Sequence, residues 1–227
     1  MRLRYLKWWD ILILTVILFG PAIISSTQMF LSSNTNNLAQ EAVFSTADNI
    51  RAIVSQSIQL LLAGGYLFVR RFDFSQWEFK ITFKSTLFAI GLFFFFGACM
   101  DIVSCFTNGI GWIPEYLKEN VPIISALSLV NLPLVLFSLL NGFYEEIFFI
   151  GICTCVETKY RWIAFIYSLI IRISFHTYQG IVSALGIGLI LGIVYFLLYI
   201  GKTKNLFPYI LSHAFSDIFG LGLLHFL

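Results

Sequence analysis

Residues 181–200 read IVSALGIGLILGIVYFLLYI. Twenty residues without a charge, wound at about 1.5 Å per residue, span about 30 Å, the hydrocarbon thickness of a bilayer. Within them and just before, Gly180, Ala184, Gly188 and Gly192 recur every four residues, a small-residue seam that lets a neighbouring helix approach closely. Similar apolar runs lie on both sides, at 162–179 and 206–226. Further back, runs at 122–156, 84–105, 50–69 and 9–27 complete seven candidate spans. The sequence thus predicts an all-α polytopic transmembrane helix bundle of about seven spans.

Composition agrees. Of 227 residues, 59% are hydrophobic, 18% aromatic and 11% charged. A soluble domain would carry about 25% charge. Lipid must therefore cover much of the surface. The formal net charge of +2 is less informative than where the charges sit. With the N-terminus in the cytosol, the inner loops collect Arg2, Arg4, Lys7, Arg70, Arg71, Lys80, Lys84, Lys159, Arg161, Lys202 and Lys204. Arg51 and Lys118 fall outside, and Arg172 falls within a span. This bias sets a cytoplasmic N-terminus and an external C-terminus for a multi-pass protein of the plasma membrane.

The first run follows basic residues in the manner of a signal peptide, but no small-residue cleavage site follows it, so it reads as an uncleaved anchor. Residues 28–49 read as a polar loop. The run at 122–156 is long. Pro133 is placed to kink it and Asn141-Gly142 to break it, and the charge pattern favours one bent or partly re-entrant helix. No basic surface interleaved with aromatics is evident, which excludes a nucleic-acid partner. Cys153 and Cys155 form a C-x-C pair with no partner pair and read as small buried hydrophobes.

Ionisable groups within spans cost about 2.5–3.5 kcal/mol each and face a cavity or a partner. Here they are Glu145, Glu146, Arg172, His176, His213 and Asp217, with Asp101 a more peripheral member. Counted along a helix from Lys159, Arg161 and Lys204, Glu146, His176 and His213 lie about 20, 22 and 13 Å deep, so three helices offer polar groups at overlapping depths. His213 and Asp217 share a helix face, as do Arg172 and His176. Glu145 and Glu146 sit about 100° apart, so one is free for chemistry while the other orients a neighbour or pairs with a cation. His225, near the outer interface, reads as structural.

The motifs read Glu145-Glu146-Ile147-Phe148-Phe149-Ile150, then Arg172-Ile173-Ser174-Phe175-His176-Thr177-Tyr178-Gln179-Gly180, then His213-Ala214-Phe215-Ser216-Asp217. In order and spacing they resemble the CPBP intramembrane protease family, which includes type II CAAX prenyl endopeptidases and Abi-type bacteriocin self-immunity proteins. That family carries E-E-x3-R, a motif ending in His, and H-x3-N/D. The resemblance covers residues 122–227, the protease-like core, whereas 1–121 supply helices without a diagnostic motif. The H-x-Y-Q-G stretch is similar to the bacterial Abi branch, which implies a bacterial source. One position departs from the pattern: Ile150 stands where the family has arginine.

The resemblance implies an intramembrane endopeptidase acting on a membrane-associated peptide in contact with lipid. Glu145 or Glu146, with His176, would take a proton from water, and His213 and Asp217 would polarise the scissile carbonyl. Arg172 would support one glutamate in place of the missing arginine. A second route uses His176, His213 and Glu146 as ligands of a divalent metal such as zinc. Two further readings stay open: a non-catalytic bacteriocin immunity protein that binds or shields a membrane target, and a transporter using the carboxylates for ion coupling. The absence of an inverted repeat weighs against the transporter.

Overall fold

The computed structural model describes residues 2–32, 45–108, 130–220 and 222–224, and among them every extended element is a helix. Among the described residues seven long helices form, one for each sequence run: α1 (Trp8–Ser32), α2 (Thr46–Val69), α3 (Phe83–Asn108), α4 (Leu132–Glu146, continued as a π-helix over Ile147–Ile152), α5 (Arg161–His176), α6 (Ile181–Gly201) and α7 (Phe207–Phe219). Five of them, α1, α2, α3, α4 with its continuation, and α6, are long and apolar enough to cross a membrane. The other two, α5 and α7, are shorter and carry His176 and His213.

Several boundaries differ from the sequence reading, each for a local reason. Of the loop expected over 28–49, residues 28–32 belong to α1 and 46–49 to α2, while 33–44 lie outside the described residues. Ser45 caps α2 in a reciprocal capping box with Asp48, satisfying first-turn amides that a loop would leave to water. Pro133 kinks nothing. It sits in the first turn of α4, behind the Asn131 cap, where its missing N–H costs no intrahelical bond. Asn141-Gly142 does not break the helix either; α4 runs through both. The irregularity comes after Glu146, where the helix widens to π geometry and the Cys153 amide donates to Phe148 O at 2.9 Å. His225 and the peptide before Val130 lie outside the described residues.

The segments expected to hold the inner basic residues do meet at one end of the bundle. Leu3 N donates to Arg71 O at 2.8 Å, Leu6 N to Cys155 O at 2.7 Å, and Leu206 N to Glu78 O at 2.8 Å. Lys7 pairs with Glu157 at 3.2 Å. At the same end Asp10, fully buried, accepts from Tyr66 Oη at 2.6 Å, Arg70 Nε at 2.7 Å and its own helix cap, Lys7 N, at 2.8 Å. This clasp ties α1 to α2.

Helix packing then positions the site. α7 lies against α4 and α3, α2 against α4, and α1 against α5. Gly142 lets α7 approach α4: a Cβ there would stand 2.6 Å from Ile210 O and 3.5 Å from His213 Cβ. The small-residue seam of α6 divides into two functions. Gly188 and Gly192 receive Ile173 and Leu169 of α5 where a side chain would collide. Gly180, at φ +88°, instead makes the turn between α5 and α6, a conformation that favours glycine. Cys153 and Cys155 are free thiols buried in the apolar core with Phe19, Phe148 and Phe149.

Candidate active site

The bundle brings Glu145, Glu146, Arg172, His213 and Asp217 into one cluster. Glu146 and Arg172 are almost inaccessible, at 0% and 1% exposure. Both guanidinium ends reach the carboxylate: Nη1 donates to Oε1 and Nη2 to Oε2, each at 2.9 Å. This fork-on-fork pairing is the strongest geometry open to a carboxylate. The Phe149 ring lies 4.0 Å below the guanidinium carbon and adds a cation–π contact. Position 150 is thereby explained. Ile150 is buried among Ile147, Leu191, Tyr195 and Leu206, and the cation for Glu146 arrives from α5 instead.

The imidazoles are oriented by their partners. His213 Nδ1 lies 2.7 Å from Glu146 Oε1, so this nitrogen carries hydrogen and donates to the carboxylate. Its Nε2 faces Glu145 Oε1 at 3.8 Å and Asp217 Oδ1 at 3.7 Å. His176, one helical turn beyond Arg172, has Nδ1 2.7 Å from Arg172 O. A carbonyl can only accept, so Nδ1 bears the proton and Nε2 keeps its lone pair. The turn after His176 is pinned to α1, with Tyr178 N donating to Ser26 Oγ at 2.9 Å.

The adjacent glutamates have separated roles in the packing. Glu146 is saturated by Arg172 and His213. Glu145 is also buried, but among the described residues its Oε2 has no hydrogen-bond partner, and Arg172 Nη1 stands off at 3.8 Å. Its Oε1 accepts from Asn141 Nδ2 at 3.3 Å, and the same amide donates to Asp217 Oδ2 at 2.9 Å. Asp101 lies apart from this group in its bonding, accepting from Leu223 N at 2.8 Å and Leu224 N at 3.1 Å.

Among the described residues, Glu145, Glu146 and His213 could hold a metal ion, their donor atoms lying within 4.8 Å of one another. His176, expected from the sequence as a ligand, is not in that group, and Glu145 is. Two carboxylates and an imidazole are donors that zinc accepts. The bonding at Glu146 does not fit: both oxygens are taken by a guanidinium, and a dication would have to displace Arg172 or lie beside its charge.

Two residues escaped the sequence reading. Asn141 was read as half of a helix break, and Gln56 lies in a segment without motifs. The signal for Asn141 was its place four residues before Glu145, on the same helix face. For Gln56 the sequence held none, because its contact is made across 85 residues.

A bundle of apolar helices enclosing three carboxylates, two oriented imidazoles and one arginine defines a membrane protein with ionisable groups gathered inside it. A family model described as type II CAAX prenyl endopeptidase Rce1-like matches residues 126–219, a stretch that contains all six of these side chains, so that part of the chain is similar to that protease family. No curated protein and no solved structure matches the chain.

Proposed function

We propose that the chain is an intramembrane endopeptidase that hydrolyses a peptide bond of a membrane-associated peptide or precursor through an activated water. The observation that carries this reading is the division of the glutamate pair: Glu146 is locked by Arg172, while Glu145 keeps an unpartnered oxygen inside the bundle.

Each residue then has a role that its bonding supports. Glu145 Oε2 takes a proton from water as the oxygen of that water attacks the scissile carbonyl, with the His176 Nε2 lone pair as a second acceptor for the water. His213, held through Nδ1 by Glu146, directs a protonated Nε2 toward the oxyanion. Collapse of the tetrahedral intermediate breaks the C–N bond, and the proton on Glu145 passes to the leaving amine. Arg172 touches no reacting atom and is a positioning residue. None of these steps requires a metal, in keeping with the occupied oxygens of Glu146.

The family of the core makes CAAX-type peptides the first substrates to try. The Abi-like H-x-Y-Q-G stretch adds bacteriocin processing or self-immunity in a bacterial plasma membrane, with the N-terminus in the cytosol. A non-catalytic immunity protein remains the second reading, favoured by Ile150 at the position of the family arginine. The experiment is protection and peptide cleavage by cells expressing wild type, Glu145→Ala, Glu146→Ala, His176→Ala or His213→Ala at matched membrane levels. Loss in the Glu145 variant and both His variants supports hydrolysis; protection retained in all four replaces it with binding or shielding.

A further inference from the structure

Asn141 is the polar residue of the cluster that the hydrolytic steps leave unused. Its amide nitrogen has two hydrogens and two carboxylate acceptors, Asp217 Oδ2 at 2.9 Å and Glu145 Oε1 at 3.3 Å. An Asn side chain could equally present its oxygen, which would set an acceptor against two acids. Gln56 of α2 takes the other end of the amide: its Nε2 donates to Asn141 Oδ1 at 2.6 Å. The oxygen end is thus held toward α2 and the nitrogen end toward the acids.

Three carboxylates, Glu145, Glu146 and Asp217, share this cluster with one arginine, and Arg172 serves Glu146. Glu145 and Asp217 both approach His213 Nε2 without a cation of their own in hydrogen-bond range. The Asn141 amide is the donor they have in common. By occupying Oε1 of Glu145, it also leaves Oε2 as the carboxylate oxygen without a hydrogen-bond partner among the described residues.

We infer that Gln56 and Asn141 form a positioning pair that bridges Glu145 and Asp217 and selects Glu145 Oε2 as the base atom. The inference rests on the hydrolytic reading for its consequence, but the bridge itself is a contact that can be tested without turnover.

The decisive variants exchange the partners. Asn141→Asp removes the donor and adds a fourth acid; Asp217→Asn, added to it, restores an amide–carboxylate pair across the same two positions with the amide on α7. Purified full-length protein in proteoliposomes would be assayed on a quenched fluorescent peptide ending in a farnesylated C-a-a-X sequence. Asn141→Asp is expected to lower kcat about 30-fold or more with KM changed less than about threefold, and the exchange to recover to within about tenfold of wild type. Gln56→Leu, which removes the partner of Asn141 Oδ1, is expected to cost about three- to tenfold in kcat.

Asn141→Asp within about twofold of wild type, while Glu145→Gln is inactive, overturns the inference and leaves hydrolysis standing. An exchange no better than the single variant overturns it too. Thermal unfolding of the same four proteins forms a double-mutant cycle that reads the bridge directly. Coupling between positions 141 and 217 in a protein that cleaves nothing sustains the bridge and defeats the proposed function; the lack of coupling defeats the bridge.

Discussion

Two buried carboxylates of this molecule are each paired with an arginine, and their surroundings differ instructively. At one end of the bundle, Asp10 has no accessible surface and accepts from Tyr66, Arg70 and its own helix cap. Every donor there has one acid to serve, and Arg70 keeps about a third of its side chain in contact with the surroundings. Deeper in the bundle, Glu146 is paired as tightly, but beside it stand two more acids and His213, with one oxygen of Glu145 left without a partner among the described residues. A saturated carboxylate holds helices together. A cluster with more acceptors than donors has proton-accepting capacity to spare, which is what a reaction with water needs.

The sharpest way to break this contrast is to neutralise one acid in each region. Glu145→Gln is expected to reduce cleavage about 10²–10⁴-fold, the range for removal of a general base, with thermal stability near that of wild type. Asp10→Asn should do the reverse, lowering the unfolding temperature while activity per folded molecule stays within about threefold, given hydrogen bonds to charged groups worth about 1.5–3 kcal/mol each. Equal losses of turnover from both variants would erase the distinction.

Arg172→Met tests the lock itself. It leaves Glu146 buried and unpaired, a loss expected at about 3–5 kcal/mol in unfolding. Adding Glu146→Met should recover most of that stability, because replacing both members of a buried pair by apolar groups is often neutral. Turnover should not return, since His213 then lacks the acceptor that orients it. Ile150→Arg asks whether the family position could serve instead. The apolar lining of that site predicts lost stability with no gain in cleavage. The smallest expected effect is that of chelators: washed protein treated with a zinc chelator should keep its rate, and a rate lost to chelation and restored by zinc would mean that Glu146 exchanges Arg172 for an ion.

Much of the architecture was legible because lipid imposes a coarse rule. A span must be about 20 apolar residues of helix, and each of the seven runs contains a helix. What misled was local punctuation. Pro133 reads as a kink until its place in a first turn is known, and Asn141-Gly142 reads as a break until α7 is seen packed on Gly142. Turn propensities are weak where neighbouring helices satisfy the backbone. The end of the polar run at 28–49 is helical for a similar reason, since Ser45 and Asp48 cap α2 from within it.

The site divides along the same line. The sequence by itself determined that Glu145, Glu146, Arg172, His176, His213 and Asp217 are costly to bury and must find one another. Residue type, helical spacing and the energetics of charge in hydrocarbon are all local properties. Which glutamate is locked, which nitrogen of each histidine carries the proton, why Ile150 is tolerated, and that Gln56 and Asn141 face the acids were decided only in the tertiary structure. Those facts depend on distances of about 3 Å between atoms on different helices, and the rotation and approach of each helix are set by side chains packed far from the polar cluster.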